Sequence, residues 1–473
     1  MPDIRYVCLS DLHFGEEDSL LTNLKTGSTD TDPTQASPVM RQLVECLKYL
    51  LSRNEYQKQK PTLILNGDIL ELALANTNEA TMVFERFVEL IMPEGKEPLF
   101  DKRIIYLPGN HDHHLWEIAR EVQYVDYLMR TQPGKYQNIP WHTSRIFDPA
   151  PDTYLLTWLI RRFKHLKNVT VTAAYPNYGI LSREGQKCVI FHHGHLMESM
   201  YQLMSTLKTL IFPDREMPRH VWDIEAENFA WIDFFWSAMG RSGEIGQDIE
   251  LIYEKMQDRE QFKKVLSGLA AGLAKRFDLP GWGDRMEAGF LNLLFATMVD
   301  KVAGLERHQP GGALSESGRE GLQAYIEGPL REHILTECGR NMPSDVTFVF
   351  GHTHKPFQED MNFKQYPQWV NVYNTGGWIV DTVQPERLHG GVIILVDEAL
   401  NTTSVHMYHE SANPAEYSVS VEAATHSGET TNSLHQRILG LVRPSEDPWK
   451  TFSTLVAHET RVRAENLRAR IKK

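Results

Sequence analysis

The chain has 473 residues, 41% of them hydrophobic and 23% charged, with a formal net charge of −13. This is the composition of a globular protein able to bury a core. The acidic balance weighs against a protein that grips long nucleic acid through its phosphates, but it leaves room for small phosphorylated substrates, because a metal can supply positive charge locally.

Nothing in the opening MPDIRYVCLSDLH has the form of a signal peptide. No stretch approaches the roughly 18 apolar residues of a membrane span. Cys8, Cys46, Cys188 and Cys338 are widely separated and read as free thiols of a reducing compartment. The expectation is a cytoplasmic chain with no transmembrane segment. Peripheral membrane contact and oligomeric state stay open.

Short apolar or β-branched runs predict strands at 5–10, 62–67, 103–109, 169–174, 187–192, 346–351, 369–374, 391–397 and 403–409. Between the first three, Val39, Leu43, Val44, Leu47, Leu50 and Leu51 recur at helical spacing, as do Val83, Phe84, Phe87, Val88 and Ile91. The polar stretch 14–38 reads as a mobile surface loop. Residues 196–345 carry almost no strand signal and read as helices over roughly 196–212, 219–240, 246–276, 283–306 and 317–338. Strand–helix alternation with a strand-rich end argues for an α/β sandwich, two sheets with helices outside. The predicted organisation is a core over 1–195 and 346–410, a helical insertion over 196–345, and a linker with a C-terminal helical tail over 411–473.

Two stretches outside the core take a bland and a sharper reading. FAWIDFFWSAMG, 229–240, is apolar nearly all round, as a buried helix of the insertion would be, or as a lid wall for an acyl chain or nucleobase. Asp223, Glu225 and Glu227 before it read as a solvated face. The last helix, about 448–472, is rich in Lys and Arg and reads as a solvated or oligomer-contact tail, with docking to an acidic partner or membrane as the sharper reading.

Polar residues collect where strands end, the usual place for ligands in an α/β sheet. Asp11 and His13 follow the first strand, Asp68 the second, and Asn110, His111 and Asp112 the third. The fifth ends in His192, His193, Gly194 and His195, and the sixth is followed by His352 and His354. Singly, such pieces are most often turns or caps. Together they offer a mixed oxygen and imidazole donor set that suits Mn, Fe or Zn and lacks the thiolates of a structural zinc site. The donors exceed what one ion needs, and Asp68, alone on its loop with two oxygens, is the natural bridge between two.

The order Asp11-Leu12-His13, Gly67-Asp68-Ile69-Leu70-Glu71, Gly109-Asn110-His111-Asp112, His193-Gly194-His195 and Gly351-His352-Thr353-His354 resembles the signature of the calcineurin-like metallophosphoesterases. The resemblance covers roughly 1–195 and 346–410. It implies a β-sandwich flanked by helices, here with a large all-helical insertion. It further implies two divalent ions, Mn first, with Fe, Zn or Ni as alternatives. One would be held by Asp11, His13, Asp68 and His354, the other by Asp68, Asn110, His193 and His352. Of the three clustered histidines, His193 is then the ligand, His192 faces the opposite side of its strand, and His195 is a supporting or substrate contact. Asn110 has an alternative as a cap of the helix starting near His113. His111 would donate a proton to the leaving oxygen or bind the phosphate, and Asp112 would orient His111 or serve as a cap.

Two cations about 3.5–4 Å apart can clamp a phosphoryl group and make hydroxide available between them, with no protein nucleophile. VYNTGGW, 372–378, is similar to a segment of the UDP-diacylglucosamine pyrophosphatase branch, with Gly377 where that branch has Ser. The expected substrate is a phosphorylated small molecule or a lipid-linked nucleotide. A nuclease and a silent scaffold on the same fold are the competing readings. Both ends of the insertion leave the core beside the second ion, so it is expected to cap the centre.

Overall fold

The computed structural model describes residues 2–135, 142–149, 151–238, 312–424 and 432–471. Two sheets face each other. The first contains β1 (Ile4–Leu9), β4 (Thr62–Asn66), β5 (Arg103–Leu107), β6 (Thr170–Ala173), β12 (Gly390–Asp397), β13 (Thr402–His409) and β14 (Ser420–Glu422), in the order β14-β13-β12-β1-β4-β5-β6. Its β1, β4, β5 and β6 run parallel. The second sheet contains β7 (Asn177–Leu181), β8 (Lys187–His192), β9 (Asp345–Phe350), β10 (Phe357–Met361) and β11 (Val370–Asn374), in the order β10-β11-β9-β8-β7.

Strand alternation builds three layers of core. Cys8, Ile64 and Ile105 of the first sheet meet Val189, Phe191, Val349 and Tyr373 of the second between the sheets. Val7, Leu9, Leu63, Leu65 and Ile104 point the other way, onto helices α1 (Pro38–Leu51) and α2 (Thr77–Ile91). Cys188, Ile190, Phe348 and Val372 cover the outer face of the second sheet, against residues of the insertion. Strands buried on both faces read as continuous apolar runs, which is why they stand out in the sequence. Helix α1 starts where Ser37 accepts the Met40 N–H at 3.0 Å with Pro38 in the first turn. The apolar positions expected at helical spacing in α1 and α2 are all buried.

Residues 14–38 are not the open loop expected from their polarity. They form the hairpin β2 (Thr22–Leu24) and β3 (Thr31–Ala36), and Phe14, Leu20 and Leu21 are buried. The strands β7, β10 and β14 escape sequence reading because they are sheet-edge strands. β7 is interrupted by Gly179, and the β10 run FQEDM is half-buried along its whole length.

Helices α3 (His114–Arg130) and α4 (Tyr154–Arg161) complete the first half of the core. In the insertion, α5 (Leu203–Ile211), α6 (Val221–Ile232), α7 (Glu316–Tyr325) and α8 (Arg331–Glu337) are described, with a π-helical turn over Asp233–Ala238 after α6. The helices expected over 246–276 and 283–306 lie outside the described residues. Ile232 and Trp236 are buried in the cluster on the second sheet, while Phe234 is exposed. The solvated face expected around Asp223, Glu225 and Glu227 is not uniform: Glu225 is fully buried.

The C-terminal segment is docked rather than solvated. Helices α9 (Ser433–Leu441) and α10 (Trp449–Ile471) pack on the first sheet's helical layer, with Trp449 beside Tyr49 and Phe452 beside Trp378. Arg463 is fully buried and donates to the carbonyls of Ser19 (2.9 Å) and Thr22 (2.7 Å) and to the Glu459 carboxylate. Arg470 pairs with Glu17 and Asp18. Arg463 and Arg470 thus serve the chain's own segment at 17–22. Arg463→Met should destabilise the fold by about 2–4 kcal/mol in urea denaturation, since two buried carbonyls and a carboxylate lose their donor. A change within experimental error would show that the docking is energetically idle.

Candidate metal centre

The five strand-end loops converge. Asp11 N–H donates to Gly67 O and His13 N–H to Asp68 O, both at 2.9 Å, which ties the first loop to the second. The His111 N–H donates to Asp68 Oδ1 at 2.8 Å, the Gly351 N–H to His193 O at 2.7 Å, and the His352 N–H to Asp11 Oδ1 at 2.9 Å. Asp11, His13, Asp68, His352 and His354 all have left-handed backbones, with φ of 52°, 45°, 50°, 71° and 57°. That conformation is uncommon for residues with a side chain, and such strain gathers at functional sites. Here it turns each side chain back over the strand ends.

Two groups of the expected ligands result: Asp11, His13 and His354, and Asp68, His193 and His352, each with ligand atoms within 4.8 Å of one another; His13, Glu71 and His111 form a third, overlapping set at the same spacing. All six expected ligands are buried. Asp68 Oδ2 lies between the two groups, 3.1 Å from His193 Nε2 and 3.9 Å from His13 Nε2. Asn110 Oδ1 is also 3.1 Å from His193 Nε2.

Three histidines share one arrangement. His13 donates from Nδ1 to Glu71 Oε2 at 2.8 Å, His354 from Nδ1 to Asp381 Oδ2 at 2.7 Å, and His193 from Nδ1 to Asn66 O at 3.2 Å. Two of the three then turn Nε2 toward an acceptor. His193 Nε2 faces Asp68 and Asn110, His354 Nε2 is 3.5 Å from Asp11 Oδ1, and His13 Nε2 is buried with no hydrogen-bond partner. A ring nitrogen whose opposite N–H is held by a carboxylate or carbonyl presents its lone pair, the usual support of a metal-ligating histidine. Lone pairs converging on carboxylate oxygens fit a pair of cations.

The electrostatics point the same way. Burial opposes charge at all of these groups, and their neighbours decide the outcome. The charges of His193 and His111 hold Asp68 well below the usual carboxylate range despite burial. Asp68 and Asp11 push His193 up to about 9. Burial and the nearby Asp68 charge raise Asp11, although His193 partly offsets them. His192 and His195 go the opposite way, held well below the ordinary imidazole range by burial and the His193 charge. The His195 ring nonetheless stands beside the centre, 5.5 Å from the His193 ring and 6.4 Å from that of His352. His192 packs on Tyr325 and Phe348 on the outer face of its strand, and His195 Nε2 bonds the Tyr175 hydroxyl at 2.8 Å.

His111 lies beside the first group, its Nδ1 2.8 Å from Glu71 Oε2. Glu71 and Asp68 hold it above its ordinary pKa against burial. Asp112 does not take the orienting role that was one of its two readings. Its oxygens accept the backbone N–H groups of Gly109 (2.6 Å) and Ile69 (2.8 Å), so it ties the Asn110 loop to the Asp68 loop. Glu71, whose role sequence reasoning left unassigned, fixes both His13 and His111. Asp381 behind His354, and Glu198 at 3.2 Å from His352 Nε2, were also missed. Glu71 had a signal as the last residue of the Gly67–Glu71 motif, whereas Asp381 and Glu198 had none.

Close packing leaves no room at Gly109, where a Cβ would stand 2.2 Å from Asp68 Oδ1 and 2.6 Å from its backbone nitrogen. Gly109→Ala should weaken metal retention by roughly 10–100-fold, the scale seen when ligand support is disturbed. Metal analysis after dialysis tests this, and unchanged content would show that the two loops can part freely.

A sandwich carrying these clusters at its strand ends is the architecture of a metal-dependent phosphoester hydrolase. Residues 4–229 match the model of the calcineurin-like phosphoesterase family. The chain carries that domain and is a metallophosphoesterase. The match ends within the insertion, so His352 and His354 are joined to the centre by geometry. No curated protein matches the chain.

Proposed function

We propose that the chain hydrolyses a phosphodiester or pyrophosphate bond in a small or lipid-linked nucleotide, using two divalent ions, Mn first, with Fe, Zn or Ni as alternatives. The observation that carries this reading is Asp68 lying between two histidine–carboxylate groups. One ion would be held by Asp11, His13, Asp68 and His354, and the other by Asp68, Asn110, His193 and His352. Bound there, they supply Lewis acidity and activated water at neutral pH. The chain's own residues do the rest. His111, held by Glu71 and raised above its ordinary pKa by that carboxylate, gives a proton to the leaving oxygen. Asn110 helps stabilise charge on the phosphoryl oxygens, and Asp112 keeps the loops of Asp68 and Asn110 in register.

The centre is buried, and the insertion stands along one side of it: Glu198 meets His352, and the Tyr201 ring is 5.2 Å from the His352 ring. Such a site favours a flexible phosphorylated molecule over a folded protein surface. The net charge of −13 weighs against nucleic acid. The 372–378 segment lies against His354 as a branch-like segment would, but Gly377 departs from that branch: a Cβ there, which its Ser would bring, would stand 2.7 Å from the His354 ring. Among the described residues no helix is long and apolar enough to cross a membrane. A cytoplasmic enzyme with at most peripheral membrane contact is the reading we favour. The cap over the centre remains part of this proposal. The described helices cover the outer face of the second sheet and reach the centre from one side, and residues 239–311 lie outside the described residues.

An Mn(II) panel of bis-p-nitrophenyl phosphate, nucleotide sugars, cyclic nucleotides and single-stranded DNA tests the substrate class. Turnover of a pyrophosphate or small diester is expected. Preference for DNA would make the chain a nuclease, and silence on every substrate a scaffold.

A further inference from the structure

We infer that His113, Glu117 and Glu225 form a further divalent-cation site, distinct from the pair at Asp68 and suited to Zn(II) or Mn(II). His113 immediately precedes α3, and Glu117 stands one turn on, so both share one face of the helix start. Glu225 comes from α6 of the insertion. The three offer ligand atoms within 4.8 Å of one another. His113 and Glu225 are fully buried, with His113 Nε2 3.0 Å from Glu225 Oε1.

An ordinary ion pair accounts for only that one contact. His113 Nδ1, Glu117 Oε1 and Glu225 Oε2 are buried without a hydrogen-bond partner, and all three belong to the cluster. Leaving such atoms unpaired is costly. Asp233 Oδ1 is 3.9 Å from His113 Nδ1, beyond hydrogen-bond reach. Arg120 takes Glu117 Oε2 at 2.6 Å and leaves Oε1 over. Asp233 is engaged by His114 at 2.9 Å.

The charge balance asks for a cation. Three carboxylates, Glu117, Glu225 and Asp233, surround His113, and Arg120 is the permanent cation among them. Against burial, they push His113 up to about 10. A site this electronegative holds either a proton or a metal, and a metal displaces the proton as it binds. The proton serves Glu225 Oε1 alone, whereas an ion can draw in the free oxygens of both glutamates. One imidazole and two carboxylates, completed by water, is a donor set for Zn or Mn. Such an ion would clamp α6 to the start of α3, directly behind the Asn110–Asp112 loop.

The inference does not rest on the proposed substrate or on the Asp68 pair. Metal analysis of the full chain, saturated with Mn(II) or Zn(II) and cleared of excess, should find one ion beyond that pair. Glu225→Gln, which keeps shape and can still accept from His113, should lose that ion alone and still hydrolyse bis-p-nitrophenyl phosphate. His193→Ala should lose an ion of the pair and keep this one. An anomalous-scattering map of the unsubstituted protein gives an answer independent of any variant's folding, with a peak expected among His113, Glu117 and Glu225. No peak there in metal-soaked crystals, or equal metal content in Glu225→Gln and the unsubstituted chain, leaves a protonated His113–Glu225 pair and overturns the site. Failure of the phosphoesterase reading would appear instead at Asp68 or in the substrate panel.

Discussion

Asp68→Asn should lower turnover by at least roughly 10³-fold, because it removes the charge that both ions share and with it several kcal/mol of transition-state stabilisation. The substitution is nearly isosteric. Its amide oxygen can still accept the His111 N–H that Asp68 Oδ1 accepts at 2.8 Å, so the Asn110 loop keeps its anchor. What it loses is the negative charge facing His193 Nε2 at 3.1 Å and His13 Nε2 at 3.9 Å. Metal analysis should show the loss of one or both ions of the pair. Chelation followed by Mn(II) should restore the unsubstituted enzyme and leave the variant inactive. A variant within tenfold of the parent would mean that the two groups do not share a carboxylate, and the binuclear reading would fail.

The centre was legible for a physical reason. Its ligands sit where fully buried strands stop, so each follows an apolar run that announces itself, and turns with left-handed backbone bring Asp11, Asp68 and His354 back over the sheet. The three clustered histidines are separated by strand alternation: His192 faces Tyr325 on the outer side, while His193 reaches Asp68. What sequence reading missed depends on contacts between distant segments. Nothing local marks Asp381 as the partner of His354, or Glu225 as a buried acid rather than one charge of a helix face. The C-terminal helix misled for the same reason. Lys and Arg at its surface look alike in sequence, yet Arg463 is buried on the carbonyls of Ser19 and Thr22, more than four hundred residues earlier. The hairpin at 22–36 looked mobile because its strands are polar, and its order comes from the helices that cover it.

His111→Ala should slow turnover of a substrate with a poor leaving group by roughly 10²–10⁴-fold, the scale of a general acid, while leaving metal content nearly intact. His111 is not in either group that meets at Asp68, and only its backbone N–H touches that carboxylate, so alanine preserves the contact. Its ring is held by Glu71, which also holds His13. Replacing Glu71 would therefore disturb a candidate ligand as well as the acid, and His111 is the cleaner position to change. The leaving group decides the role. An alkoxide needs a proton as the phosphorus–oxygen bond breaks, whereas p-nitrophenolate leaves readily without one. The penalty on an alkyl diester or nucleotide pyrophosphate should therefore far exceed that on bis-p-nitrophenyl phosphate. A penalty of equal size on good and poor leaving groups would show that His111 binds the phosphate and does not protonate the departing oxygen. A loss of metal along with activity would place it among the ligands.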